Sequence, residues 1–136
     1  MRKSLAIAVC GAVVAAFLFS ASIDAQQAPA PGGIKRTVLQ KSDVPGSSYE
    51  VIVALVEVPA GIKVGRHTHP GTVGAQVLEG SYTILFDGQP EKLFKAGEYL
   101  QIPAGAVHNE WPGDKPAKLL AVYTVEKGKP LASPAP

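Results

Sequence analysis

Residues 61–80 read GIKVGRHTHPGTVGAQVLEG, and residues 97–108 read GEYLQIPAGAVH. In both, short runs rich in Val, Ile, Leu and Tyr are cut every few residues by Gly or Pro. That is the rhythm of short strands joined by tight turns, not of helices, whose apolar positions recur three and four apart. His67 and His69 are two residues apart. In an extended strand this puts both rings on one face, with Cβ atoms about 7 Å apart, while Thr68 points to the other. Two imidazoles so placed can share one metal ion through bonds of about 2.0–2.1 Å. His-x-His alone is a weak signal, because two exposed histidines arise readily by chance. His108, from a distant strand, is the third ligand that a barrel interior can supply.

The same rhythm continues outward. Strands are predicted at Arg36–Lys41, Tyr49–Val58, Val64–Thr68, Val73–Leu78, Ser81–Phe86, Glu91–Lys95, Glu98–Ile102, Val107–Trp111 and Lys118–Val125. The second, YEVIVALVEV, is apolar on both faces in its middle, which suits a strand buried on two sides. Glu79-Gly80, Asp87-Gly88 and Ala96-Gly97 mark tight connections. Gly61, Gly65, Gly71, Gly80, Gly97 and Gly105 read as turn residues. Many short strands with no helical period between them predict an all-β sandwich or barrel.

The chain of 136 residues suits one domain. With 46% apolar and 18% charged residues it has a globular composition. The formal charge is +2, and apart from Lys35-Arg36 the basic residues are scattered, so no basic stripe points to nucleic acid. Residues 1–25 have the layout of a secretory signal peptide: Arg2 and Lys3, an apolar run from Leu5 to Phe19, then small residues ending at Ala25. The run is short against the roughly 20 residues a spanning helix needs, so no stable membrane span is expected after processing; an uncleaved anchor is the alternative. Such a signal directs the chain to the periplasm or outside the cell. Cys10 is the sole cysteine and lies in this segment, so the mature chain has neither a disulfide nor a thiolate metal site. Residues 26–35, with QQAPAPGG, read as a stiff, solvated leader, residues 36–126 as the barrel, and residues 127–136, KGKPLASPAP, as a flexible tail.

The spacings Gly61-x5-His67-x-His69-x10-Gly80 and Gly97-x5-Pro103-x-Gly105-x2-His108 resemble the two motifs of the cupin superfamily. The resemblance implies a small double-stranded β-helix, or jelly-roll barrel. It also implies one divalent transition metal (Fe, Mn, Cu, Ni or Zn) held near the axis by His67, His69 and His108. Two positions depart from the pattern. The superfamily's glutamate ligand falls on Val73, which cannot coordinate, and its asparagine falls on Pro112. Three neutral imidazoles leave a divalent ion its full charge and open coordination positions. Gln76 is a candidate fourth ligand, although alternation places it on the face opposite Val73 and only a bulge would turn it inward. Glu110, two residues from His108, shares its face and is a candidate acid or base, or a rim carboxylate in water. Gln101, sharing a face with Tyr99, is a second weak candidate.

Trp111, Tyr82, Tyr99, Phe86 and Phe94 read as core and rim packing, with Trp111 also near enough to His108 in sequence to line a pocket mouth. Arg66 points away from His67 under alternation, against a role in holding a substrate carboxylate. Val64, Val73, Val77, Leu85 and Leu100 are candidate apolar walls. Three readings of function stay open: a metal-dependent oxygenase, isomerase or lyase acting on a small organic molecule; a non-catalytic module binding a metal or small ligand; and a structural barrel. By resemblance a homodimer is expected.

Overall fold

The run YEVIVALVEV alternates in space as a strand must. Glu50, Ile52, Ala54, Val56 and Val58 are buried, and the residues between them are half-buried. The expectation of burial on both sides therefore holds fully for one face only. The architecture comes from a computed structural model that describes residues 31–136. The signal-peptide reading of residues 1–25 and the leader residues 26–30 lie outside the described residues.

Ten strands follow a 3-10 turn at Pro31–Gly33: β1 (Lys35–Asp43), β2 (Tyr49–Val58), β3 (His67–Thr68), β4 (Gly71–Glu79), β5 (Ser81–Phe86), β6 (Lys92–Lys95), β7 (Tyr99–Ile102), β8 (His108–Pro112), β9 (Ala117–Glu126) and β10 (Ser133–Pro134). They form two five-stranded antiparallel sheets, ordered β1-β2-β9-β4-β7 and β10-β3-β8-β5-β6. This is an all-β barrel as the strand rhythm predicts, and the double-stranded β-helix that the cupin resemblance implies.

The inward residues of both sheets make one core. Ile52, Val58, Val77, Val125 and Ile84 are almost fully enclosed, each worth roughly 1.5–3 kcal/mol of apolar burial. On β5 the inward set is Tyr82, Ile84 and Phe86, so Leu85 is not the wall it was expected to be. On β7 Leu100 and Ile102 point in, while Tyr99 and Gln101 face solvent. Val73 and Val77 are buried as expected.

Two glycines show different reasons for glycine. Gly80, between β4 and β5, has φ +76°, which L side chains rarely adopt. Gly71 was expected to be a turn residue, but it opens β4 without a positive φ. A Cβ there would lie 2.0 Å from the Thr124 carbonyl oxygen and 2.7 Å from the Val125 Cα, so β9 crosses too closely for any side chain.

The tail departs from its solvated reading. Leu131 is buried, β10 pairs with β3 through Ser133↔Thr68 and Pro134↔His67, and the Ala135 amide donates to the Arg66 carbonyl. The one large apolar residue in KGKPLASPAP anchors the segment, and strand pairing satisfies the backbone on either side. At the other end Ile34 is buried.

Gly71→Ala is expected to cost about 1–3 kcal/mol, from overpacking against backbone rather than from φ strain. Urea unfolding checks this; an unchanged midpoint would mean that β4 and β9 separate freely at this point.

Candidate metal centre

β3 is only two residues long, yet its register fixes the centre: His67 pairs directly with His108 of β8. Directly opposed residues in an antiparallel pair project to the same face. The His67 and His108 ring centroids are 4.2 Å apart. His69 lies just past β3, two residues from His67 and on the same face, with its ring 4.8 Å from His67 and 5.2 Å from His108. All three are buried, His108 completely.

Each ring is held in the same way. Nδ1 of His67 lies 2.8 Å from the Gly65 carbonyl oxygen, that of His108 2.9 Å from Ala106, and that of His69 2.5 Å from Leu131. A carbonyl only accepts, so each Nδ1 carries the proton and donates, which leaves each Nε2 as a lone pair. The ligand atoms lie within 4.8 Å of one another. Donors sharing one ion through bonds of about 2 Å sit roughly 3.3 Å apart, so small ring movements suffice. His108 Nε2 is fully buried and has no hydrogen-bond partner among the described residues. An orphaned buried acceptor facing two further lone pairs fits a bound cation.

Burial also sets the charge state. Desolvation lowers the pKa values of His69 and His108 to about 4 and depresses that of His67, against the opposing pull of the backbone hydrogen bonds. The three rings are therefore neutral at pH 7, as metal ligands must be.

Glu110 on β8 joins the group, with Oε1 3.9 Å from His67 Nε2 and a side chain only 14% exposed. It is not the solvated rim carboxylate that was one of its two readings. Burial pushes its pKa up to about 7, against the opposing effects of the Tyr82 hydroxyl and the Arg36 charge. Tyr82 and Tyr123 are buried, and both phenols are pushed upward, chiefly by desolvation. The Tyr123 ring lies 5.8 Å from His69, and the Arg36 guanidinium carbon lies 5.5 Å from the Tyr123 centroid. Phe86, opposite His108 in register, stacks 5.7 Å from it.

Other candidates lie elsewhere. Gln76 is exposed, and its amide donates to the Gly97 carbonyl at 3.3 Å. The bulge in β4 falls between Val77 and Glu79, beyond Gln76, and so does not turn it inward. Gln101 is likewise exposed. Trp111 alternates with Glu110 and faces away from the histidines, with Lys63 over its ring at 4.6 Å. Asn109, also on that outer face, accepts from the Gly65 and Glu110 amides and ties the loop before His67 to β8. Arg66 points outward, as alternation required, and pairs with Asp87. Sequence reasoning gave no site role to Arg36, Tyr82 or Tyr123. The available signal was alternation, which puts an arginine on the same face of its strand as the apolar Val38.

The fold and site define a small one-domain barrel with a buried three-histidine cluster. The Cupin domain family matches residues 54–123, and the chain belongs to it. No curated protein matches the chain. Solved structures share the fold. A cupin-like protein from Thermotoga maritima aligns with TM-score 0.62 at 21% identity, covering 76% of this chain and 77% of its own. An uncharacterized conserved protein with a double-stranded β-helix domain from Klebsiella pneumoniae gives 0.60 at 20%, covering 78% and 90%. The DMSP lyase DddQ from Ruegeria pomeroyi gives 0.61 at 21%, covering 75% of this chain and 51% of its own, so the present chain spans about half of that enzyme. Among the described residues no helix is long and apolar enough to cross a membrane.

Two outcomes follow. Below pH 6.5 the unfolded chain protonates three histidines whose pKa values the metal-free fold depresses, His69 and His108 to about 4 and His67 in the same direction, so the unfolded chain binds more protons and stability falls as the pH falls. Glu110 acts in the opposite sense between 4.5 and about 7, as one group against three. The melting temperature of metal-free protein should therefore drop as pH falls from 6.5 towards 4; a rise would refute the neutral-histidine assignment. Deletion of residues 130–136 removes the carbonyl holding His69. Metal affinity, measured by competition with a chelating dye, should weaken roughly 10–100-fold while circular dichroism still reports the barrel; unchanged affinity would show that the tail does not orient the ring.

Proposed function

We propose that the protein is an exported cupin that holds one divalent transition metal through His67, His69 and His108 and acts on a small organic molecule. One observation carries the reading. Three Nδ1–H groups are tied to backbone carbonyls, so three Nε2 lone pairs converge in a buried space, one of them without a partner. The bound ion would supply Lewis acidity. The chain's own contribution would be proton handling. Glu110 lies beside His67 and interacts with the Tyr82 hydroxyl, so it can take or give a proton at Oε1, on the edge of the histidine cluster. Isomerase and lyase reactions move a proton on the substrate, and such a group suits them. That a protein of this fold is a DMSP lyase supports only the capacity of the barrel for such work.

A second reading is a non-catalytic binding module. It is favoured by Val73, buried where the superfamily's carboxylate ligand stands. Its mark is a ligand that raises the melting temperature and is recovered unchanged.

The test is metal content. The full chain is expressed, the periplasmic fraction is purified without chelator or histidine tag, and bound metals are quantified by plasma mass spectrometry. The expected result is a mature chain beginning at Gln26 with about one equivalent of a transition metal, lost in the His67→Ala/His69→Ala double variant. Iron or copper would direct assays to oxygen chemistry, zinc or nickel to lyase or isomerase chemistry. Protein that holds no metal and takes up none at neutral pH would end the proposal.

A further inference from the structure

Arg36 has no part in the three-histidine cluster, yet it is set into the same interior. In the antiparallel pairing of β1 with β2, Arg36 lies opposite Val56 and Val38 opposite Ala54. Val56 and Ala54 are buried inward-facing residues, so Arg36 projects into the barrel. The register shift in β1 comes after Val38, too late to turn Arg36 out. Its Nε is fully buried and has no hydrogen-bond partner among the described residues. Its guanidinium lies over the Tyr123 ring, and the same ring also meets His69. The Arg36 charge is felt at His67, His69, Tyr82, Tyr123 and Glu110, which places it among the groups lining the site.

A guanidinium does not lose its proton, so burial cannot neutralise it. Arg36 is half-buried and its guanidinium donates to the Tyr123 hydroxyl, but an enclosed charge is ordinarily also given an acidic partner. Among the described residues no carboxylate lies within ion-pair distance of Arg36, whereas Arg66 outside the barrel has Asp87. Glu110 is an acid near enough to feel the Arg36 charge. It interacts with Tyr82 and lies beside His67 rather than against Arg36. The interior thus carries a positive charge with no carboxylate at ion-pair distance, felt but not paired by Glu110, and a buried Nε donor without a partner among the described residues. It favours an anion.

We propose that Arg36 binds the carboxylate of a short-chain organic acid, whose remaining atoms extend past Tyr123 towards the three histidines. A planar two-oxygen group matches the guanidinium fork. A phosphate would need more cationic donors than this single arginine offers. The shared Tyr123 wall, in contact with both Arg36 and His69, keeps the acid short. The proposal names the substrate class for the function proposed above and rests on that reading only for what lies at the far end of the acid.

The test uses butyrate as probe and butyramide, its neutral analogue of similar shape, as control. Binding is measured by calorimetry on the mature chain, both metal-loaded and chelated, with metal content determined on the same samples. Wild type should bind butyrate roughly 10–100-fold more tightly than butyramide, the range expected for hydrogen bonds to a charged group. Arg36→Met should lose that preference while keeping its metal and its melting temperature, and Arg36→Lys should restore it in part. No saturable butyrate binding at roughly ten-millimolar concentration would overturn the proposal. So would equal binding of the amide, or an Arg36→Met variant that binds butyrate like wild type, because the carboxylate would then be held elsewhere. A large fall in the Arg36→Met melting temperature would assign Arg36 a packing role and also overturn it. Arginine-dependent butyrate binding by protein that takes up no metal would instead refute the metal reading and leave the carboxylate site standing.

Discussion

Three imidazoles share the inside of a closed two-sheet barrel, and each is tied at Nδ1 to a backbone carbonyl. Much of the molecule is arranged around that constraint. Side-chain partners can rotate away, but the carbonyls of Gly65, Ala106 and Leu131 belong to chain segments fixed by sheet pairing and loops. The Asn109 side chain accepts from the Gly65 amide, β3 pairs with β8 across His67 and His108, and β10 brings Leu131 to His69. The tautomer is chosen by covalent geometry and packing, so the lone pairs are ready before any ion arrives. The cost is desolvation, visible in the depressed pKa values of all three rings.

The same interior holds an unusual mixture of polar groups for a core of its size. Glu110, Tyr82, Tyr123 and Arg36 come from β8, β5, β9 and β1, and each faces inward through strand alternation. Ile52, Ile84, Val77 and Val125 close the rest of the barrel and keep the dielectric low. Low dielectric makes each unpaired polar atom expensive. Two such atoms among the described residues, His108 Nε2 and Arg36 Nε, are therefore the informative ones. One is a lone pair suited to a cation, the other a donor suited to an anion. The proposed metal and acid would account for both with one arrangement.

Reading along the chain worked where the signal is local. The Val- and Ile-rich run YEVIVALVEV located β2 to the residue, and alternation around Arg66 sent it outward to Asp87. It also gave the correct grounds for doubting Gln76, which donates to Gly97 on the outer face. It did not decide between inward and outward for Gln101, because β7 carries apolar residues on either side of the question: Tyr99 faces solvent and Leu100 the core. Gly71 was misread because close approach of β9 leaves no trace in its own neighbours, whereas the glycine of a turn does. The tail was misread because its composition is that of a linker. A single leucine and a few backbone hydrogen bonds outweigh composition when a sheet edge is waiting for a partner.

The sequence alone determined the all-β class and the single domain, since strand period and turn residues are properties of neighbours, and its resemblance to the cupin motifs singled out the three histidines. The family assignment drew on the same short-range pattern across residues 54–123. Only the tertiary structure decided the company those histidines keep. Arg36 is far from Tyr123 along the chain, and so is Leu131 from His69. Nothing in the residues between them encodes the meeting, because it is produced by sheet order and register. Strand pairing turns two faces inward at once, and the charge of Arg36, the carboxyl of Glu110 and the carbonyl of Leu131 reach the centre through that closure.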